Sequence, residues 1–312
     1  MKHVSVFLCC RYLLRRKMML LSSSAVALSC ALLVITASLF TGFIDTLETS
    51  AAGHLGDVIL EAPPGQLITD YPEFVSALED TAAVQSAAAV LKNQGLLLIG
   101  PGKIRPVRVW GIELPERLDV SAMQEFLLKH KDRADVSFAP ESGEDIGGFV
   151  GIGVLTQPDE RTDEYDMEEV REYIGRRMAL TTGSLAARTD PDAPEAAPVF
   201  KRRVLRFTCT DVMFTGIWDL DEQNVFVPLE PLSKLLYPDR PQPAADIIQI
   251  RLASEASDEA ALAIVRGVWM EFARNRFDWA SFATIETSRQ MQARLIGEYR
   301  KQMGMLLLIL GL

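Results

Sequence analysis

Three histidines, His3, His54 and His130, are the first residues to test for metal or acid–base chemistry. None lies at ligand spacing from a cysteine or a paired carboxylate, so no zinc site is expected. The run Gly95–Lys103, GLLLIGPGK, has the composition of a phosphate loop but not its spacing. Leu97 stands where the first glycine should be, and Ile104 where the magnesium-binding hydroxyl should be. Gly151-Ile152-Gly153 lacks a third glycine and reads as a turn. Ser184 and Ser281 sit in no nucleophile elbow. The acid-rich run Asp159–Glu172 reads as a solvated face rather than a cation site. The chain therefore reads as a non-enzyme, with no catalytic, cofactor-binding or metal-binding residue of its own.

If chemistry does not explain the chain, its elements must. It has 312 residues, 48% of them hydrophobic, with 32 bases against 42 acids. That apolar fraction excludes intrinsic disorder, and the net charge of −10 argues against a nucleic-acid partner. The charges are segregated. Residues 1–17 carry five bases and no acid, residues 18–44 carry no charge, and residues 45–301 carry 27 bases and 42 acids, a balance of −15. A helix over Met18–Ile44 would run roughly 40 Å, more than the ~30 Å hydrocarbon core. Lys2, Arg11, Arg15, Arg16 and Lys17 keep the N-terminal tip cytoplasmic and send the acidic body outward. The topology-setting residues are thus Arg11, Arg15, Arg16 and Lys17, and the lipid bilayer is the first expected partner. A cleaved signal peptide is the rival reading, with Thr36-Ala37-Ser38 or Ser50-Ala51-Ala52 as cleavage sites, but signal cores run only about 7–15 residues. Of four cysteines, Cys9 and Cys10 fall inside, Cys30 in the span and Cys209 outside, so Cys209 is expected to be a buried free thiol.

The outer body reads as an α+β domain, mixed and largely antiparallel, expected in two lobes and flanked by transmembrane helices. Strands are expected at Asp57–Leu60, Ala83–Leu91, Leu96–Ile99 and Ile104–Ile112, with turns at Asn93-Gln94-Gly95 and Pro101-Gly102. A helix over Tyr71–Leu78 has Asp70 as its expected N-cap. Residues 140–169 read as a loop broken by a short strand, Phe149–Leu155, and 168–180 as a helix with Val170, Tyr173, Ile174 and Met178 on one side. Thr189–Pro198, with three prolines, is an exposed loop or hairpin tip. Further strands are expected at 203–214, 224–228, 247–252 and 279–285, with helices at 229–236 and 255–275. Thr287 can cap a last helix through Met291, Leu295, Tyr299 and Met303. The domains are then 1–17 (basic tip), 18–44 (span), 45–285 (outer core), 286–302 (connecting helix) and 303–312 (start of a second span). Ten residues make only about 15 Å of helix, so the natural chain is expected to continue past Leu312.

Three segments carry a resemblance. Val107-Arg108-Val109-Trp110-Gly111-Ile112-Glu113-Leu114-Pro115 is similar to a strand followed by Gly-Ile-Asp-Pro. Tyr173-Ile174-Gly175-Arg176-Arg177-Met178-Ala179 is similar to an Ile-Gly-x-x-Leu-Ala helix start. Phe214-Thr215-Gly216-Ile217-Trp218-Asp219-Leu220-Asp221, followed by Asn224–Leu229, is similar to a Gly-x-Phe, Asp, strand, Pro-Leu element. In this order, behind a basic tip and a span, they resemble the permease subunits of the MacB, LolC/LolE and FtsX type of ABC transporter. The resemblance implies a bacterial inner-membrane permease whose outer, periplasmic domain sits between spans one and two. It implies a cytoplasmic ABC ATPase partner that binds the ATP, a second permease copy or paralogue, and no cofactor in this chain. In lipoprotein-releasing members an outer loop docks a periplasmic carrier or adaptor. Its counterpart here would be near Asp190, Pro194, Pro198 and Phe200. An extracytoplasmic sensor domain of a membrane receptor is the alternative with the same spans.

The charge map makes a direct prediction. Replacing Arg15, Arg16 and Lys17 by Glu weakens or inverts insertion, read as loss of external activity from a reporter fused after residue 60. A reporter that stayed external would contradict the assigned topology.

Overall fold

The computed structural model describes residues 17–52, 56–133, 135–141, 146–186, 199–253, 258–291, 293, 297, 301, 302, 304 and 305. The chain divides into two units, Met1–Ala51 with Arg289–Leu312, and Ala52–Ser288.

The first unit is dominated by helix α1, Lys17–Ala52. Its segment Leu21–Leu39 has a mean hydropathy of 1.8 and is long and apolar enough to cross a membrane. Ser24, Thr36 and Thr41 donate their hydroxyl protons to the carbonyls of Leu21, Leu32 and Ala37 at 2.9, 2.8 and 2.8 Å. Polar side chains are thereby satisfied within the helix, without water. Arg11, Arg15 and Arg16 lie outside the described residues, and Lys17 is the first residue of α1.

The second unit is a mixed α+β domain. Its strands are β1 (Val58–Glu61), β2 (Val84–Gly100), β3 (Lys103–Ile112), β4 (Gly147–Gly151), β5 (Arg177–Ala186), β6 (Val199–Met213), β7 (Asn224–Pro228), β8 (Ile247–Leu252) and β9 (Thr284–Thr287). Its principal helices are α2 (Tyr71–Glu79), α3 (Leu114–Val120), α4 (Met167–Glu172), α5 (Leu229–Leu236) and α6 (Asp258–Ala273). All strands belong to one sheet, of order β3-β7-β4-β6-β5-β2-β8-β1-β9, and β3 also pairs with β2. That extra pairing closes six strands into a ring, β2-β3-β7-β4-β6-β5. The remaining strands, β8, β1 and β9, extend from the first half of β2. Only β3–β7 and β4–β6 are parallel.

β2 is common to both parts of the sheet, the six-stranded ring and the β8-β1-β9 extension. Val84–Val90 pairs with β8, and Gly95–Leu98 pairs with β5 along the same edge. The expected turn at Asn93-Gln94-Gly95 is instead the point where an unbroken strand changes partners. Side chains fill the gap. The Asp246 carboxylate accepts the Lys92 amide at 2.8 Å, the Asn93 amide donates to the Gly183 carbonyl at 3.1 Å, and the Thr182 hydroxyl donates to the Gln94 carbonyl at 2.8 Å. Gly95 is required there, because a Cβ would sit 2.8 Å from both Leu180 Cδ1 and the Thr181 carbonyl. The second expected turn is present: Pro101 and Gly102 (φ +74°) join β2 to β3. This is the proline-then-glycine order that a tight turn with positive φ at its second position favours.

Other expectations need correction. Asp70 precedes α2 but lies in the left-handed region (φ 54°) and makes no side-chain cap bond. The strand expected at 149–155 ends at Gly151, and Ile152–Leu155 forms one helical turn. The helix expected over 168–180 stops at Glu172, because Gly175 adopts φ +88° and the chain enters β5. Met178 and Leu180 are buried as alternate residues of that strand, not as a helical face. In 279–285, Ala280–Phe282 is a 3₁₀ turn and only 284–287 is strand. Thr287 closes β9 directly before helical residues 288–291.

An aromatic cluster joins α2 to α6. Phe74 meets Trp269 edge to face at 5.3 Å and Phe272 at 5.2 Å, while Phe277 stacks on Trp279 at 4.7 Å. Trp269 is buried, and its indole N–H donates to the Ala280 carbonyl at 2.9 Å, so the ring is packed and its polar atom satisfied.

Asp246 at the partner change generates a pH prediction. Desolvation raises its carboxyl from 3.8 to about 6, against the Lys92 amide, which lowers it. The folded state therefore binds its proton more tightly than the unfolded state. Its stabilising contribution is full below about pH 4 and is lost as pH rises through about 6. Asp246→Asn keeps the acceptor for Lys92 but cannot ionise. Urea denaturation should show wild type losing about 2 kcal/mol relative to Asp246→Asn between pH 4 and 7.5, allowing for residual solvent contact. A difference that does not move with pH would contradict the assignment.

Candidate functional site

The two ends of the second unit are fastened to each other. β1 lies between β8 and β9, antiparallel to both, with Val58 opposite Thr287 and Glu61 opposite Thr284. At the open end the Ser288 amide donates to the Asp57 carbonyl at 2.9 Å, and the Ser288 hydroxyl reaches it at 3.3 Å. The Asp57 amide donates to the Ile250 carbonyl at 2.9 Å, and its carboxylate accepts the Leu252 amide at 2.8 Å. Gly56 makes the approach with φ +75°, where a Cβ would stand 2.9 Å from Val120 Cγ1 and 3.0 Å from the Ile250 carbonyl. β9 is only four residues long, and Arg266 from α6 donates to the Ile285 carbonyl at 2.9 Å, which covers this edge. Chain entry at Asp57 and chain exit at Ser288 are thus one hydrogen bond apart.

From this clasp β2 carries the structure outward. Seventeen extended residues span roughly 55 Å, from the β8 pairing to the tip at Gly100. Within the ring, two of the segments singled out in the sequence lie side by side. β3 and β7 run parallel, the Arg108 amide donates to the Gln223 carbonyl at 2.6 Å, and the Trp110 indole donates to Asn224 Oδ1 at 3.0 Å. Gly111 admits α5, since a Cβ would lie 2.8 Å from Leu232 Cδ2. The third segment, 173–179, is not a helix start but the passage from α4 into β5.

β5 and β6 form a long hairpin, paired from Arg177–Thr208 to Ala186–Val199. Of the expected docking residues, Phe200 lies in β6 opposite Leu185. Asp190, Pro194 and Pro198 lie outside the described residues. Leu98 of β2 pairs with Ile104 of β3, and Leu96, Leu98, Ile104 and, in β6, Val204 are exposed.

His130 is not isolated. Its Nδ1 lies 2.7 Å from the buried Asp211 carboxylate, 81 positions away, and that carboxylate also accepts the amides of Lys129, His130 and Val212. This pair pins the 127–130 segment to β6. Cys209 is buried and free, its thiol donates to the Asp211 carbonyl at 3.4 Å, and burial pushes the thiol up to about 12. A thiol so protonated is a packing group, not a nucleophile. In the acidic run, Asp159 folds a turn by accepting the amides of Arg161 and Thr162, and Asp166 caps α4 through the amides of Glu168 and Glu169. Among the described residues no three His, Cys, Asp or Glu are placed to hold a metal ion. Gly95–Lys103 lies in β2 and its hairpin turn rather than before a helix.

No protein-family model matches the chain, and no curated protein matches it. Among solved structures, it is similar to the periplasmic region of MacB from Actinobacillus actinomycetemcomitans, at 10% identity and a TM-score of 0.41, over 78% of this chain and 94% of that one. It is also similar to the extracellular domain of the noncanonic ABC-type transporter YknZ from Gram-positive bacteria, at 11% identity and a TM-score of 0.36, over 68% of this chain and 92% of that one.

Proposed function

We propose that this chain is the permease subunit of an ABC transporter, with α1 crossing the bacterial inner membrane and the 52–288 unit outside it. The observation that carries the reading is the clasp. A domain tied down at both ends through adjacent strands moves as one body when either flanking segment moves. A domain tethered at one end would swing freely instead. β2 then conveys that movement from the β8-β1-β9 part of the sheet into the ring without a hinge loop, because its ladder with β3 runs unbroken from Val90 to Leu98 past the partner change.

On this reading ATP is bound and hydrolysed by a cytoplasmic partner subunit, and this chain performs mechanical work without chemistry of its own. It acts beside a second permease copy or paralogue. The chain between β5 and β6, with Asp190, Pro194, Pro198 and Phe200, is the proposed contact for a periplasmic carrier or adaptor, in lipoprotein release or in export of a hydrophobic substrate. The basic tip, the uncharged helix and the order of the three resembling segments support the same reading.

Co-expression with a Walker-motif ATPase encoded beside it tests the proposal. The expected result is a complex that survives purification in detergent and hydrolyses ATP several-fold faster than the ATPase alone. An ATPase that neither binds nor responds, with a kinase or cyclase co-isolating instead, would replace this reading by the sensor alternative.

A further inference from the structure

A cleft lies between the loop that precedes α4 and the end of β6. Its volume is about 450 Å³, within the range that holds small molecules. Tyr165 and Phe214 meet edge to face at 5.8 Å and form one corner. Trp218 lines the same cleft and is 65% exposed, and Phe214 is 39% exposed. Large aromatic rings left this open to water are unusual on an acidic domain surface. The polar lining is acidic: Asp163, Glu164 and Asp221 contribute, and no lysine or arginine does.

Both walls are set before any ligand arrives. The Asp221 carboxylate accepts the Thr215 amide and hydroxyl at 2.8 and 2.9 Å and the Gly216 amide at 2.9 Å. The Ile217 amide donates to the Thr215 hydroxyl oxygen at 3.0 Å, which starts the helical turn bearing Trp218. On the other wall the Asp159 turn returns the chain so that the Asp159 amide meets the Glu164 carbonyl at 2.9 Å. Rigid walls lower the ordering cost of binding. The negative field converges on the rings: burial raises the Tyr165 hydroxyl first, and Asp221, Glu222 and Asp163 then raise it further.

We propose that this cleft binds small amphiphilic organic cations, substituted or quaternary amines with an apolar body. Ring faces attract such a cation through their quadrupoles, Trp most strongly, and the carboxylates add charge attraction. An anion meets repulsion there, and a neutral apolar guest would strip water from the acids without replacing it. The site stands on the cleft alone and does not use the transport reading.

The test uses the full chain in lipid nanodiscs at low salt, titrated calorimetrically with benzyltrimethylammonium. Neopentylbenzene is the neutral isostere and benzenesulfonate the anion. The expected result is saturable binding of the cation alone, weakened about ten-fold by Trp218→Ala and by the pair Asp163→Asn with Glu164→Gln, and reduced by added salt. Trp218 is exposed and the two carboxylates lie at the surface, so a far-ultraviolet spectrum unchanged in these variants establishes that loss of binding is local. Equal binding of the neutral isostere, or affinity unmoved by Trp218→Ala, would overturn the proposal. So would binding only of lysine-bearing peptides and not of the small cation, which would make the cleft a protein-docking site.

Discussion

The α+β domain depends on the pairing of its first and last strands. β1 and β9 are four residues each, too short to hold together in isolation. They hold because β1 is also bonded to β8, because Asp57 takes amides from both Leu252 and Ser288, and because Gly56 lets the backbone come close beside Val120. A domain whose two ends emerge together can be inserted between two other elements without distorting either.

The second requirement is continuity between the lobes. A strand that leaves one partner and takes another exposes unpaired amides and carbonyls at the crossing, and each buried unpaired group costs on the order of 1–3 kcal/mol. Here Asp246, Asn93 and Thr182 supply the missing partners from side chains. The carboxylate is held partly out of water to do so, which is why its proton is bound more tightly than usual. Rigidity at the crossing and a titrating group at the crossing thus have one cause.

The local signals in the sequence locate most of the elements. β7, β8 and α5 fall where apolar alternation, helical spacing and the flanking prolines put them. What misleads is any segment whose geometry is set from a distance. Asn93-Gln94-Gly95 carries turn residues, yet their side chains and the missing Cβ serve a partner more than eighty positions away. Met178 and Leu180 continue the spacing begun by Val170 and Tyr173, so one run of apolar residues reads as one helix until Gly175 is seen at positive φ. The acid that holds His130 is not its chain neighbour Asp132 but Asp211, which reaches it only through the fold. The aromatic cleft is hidden for the same reason. Phe214 and Trp218 look like core residues by type, and only the assembled loops leave them open.

The entry and exit strands act as one rigid clasp. Amide hydrogen exchange of the full chain in nanodiscs measures this directly, by comparing residues 57–61 and 284–288 with the β8 residues 247–252. Slow exchange is expected in all three segments, which open together as one cooperative unit. Fast exchange in 284–288 while 247–252 stays protected would show the exit strand to be a loose edge, and would contradict the clasp.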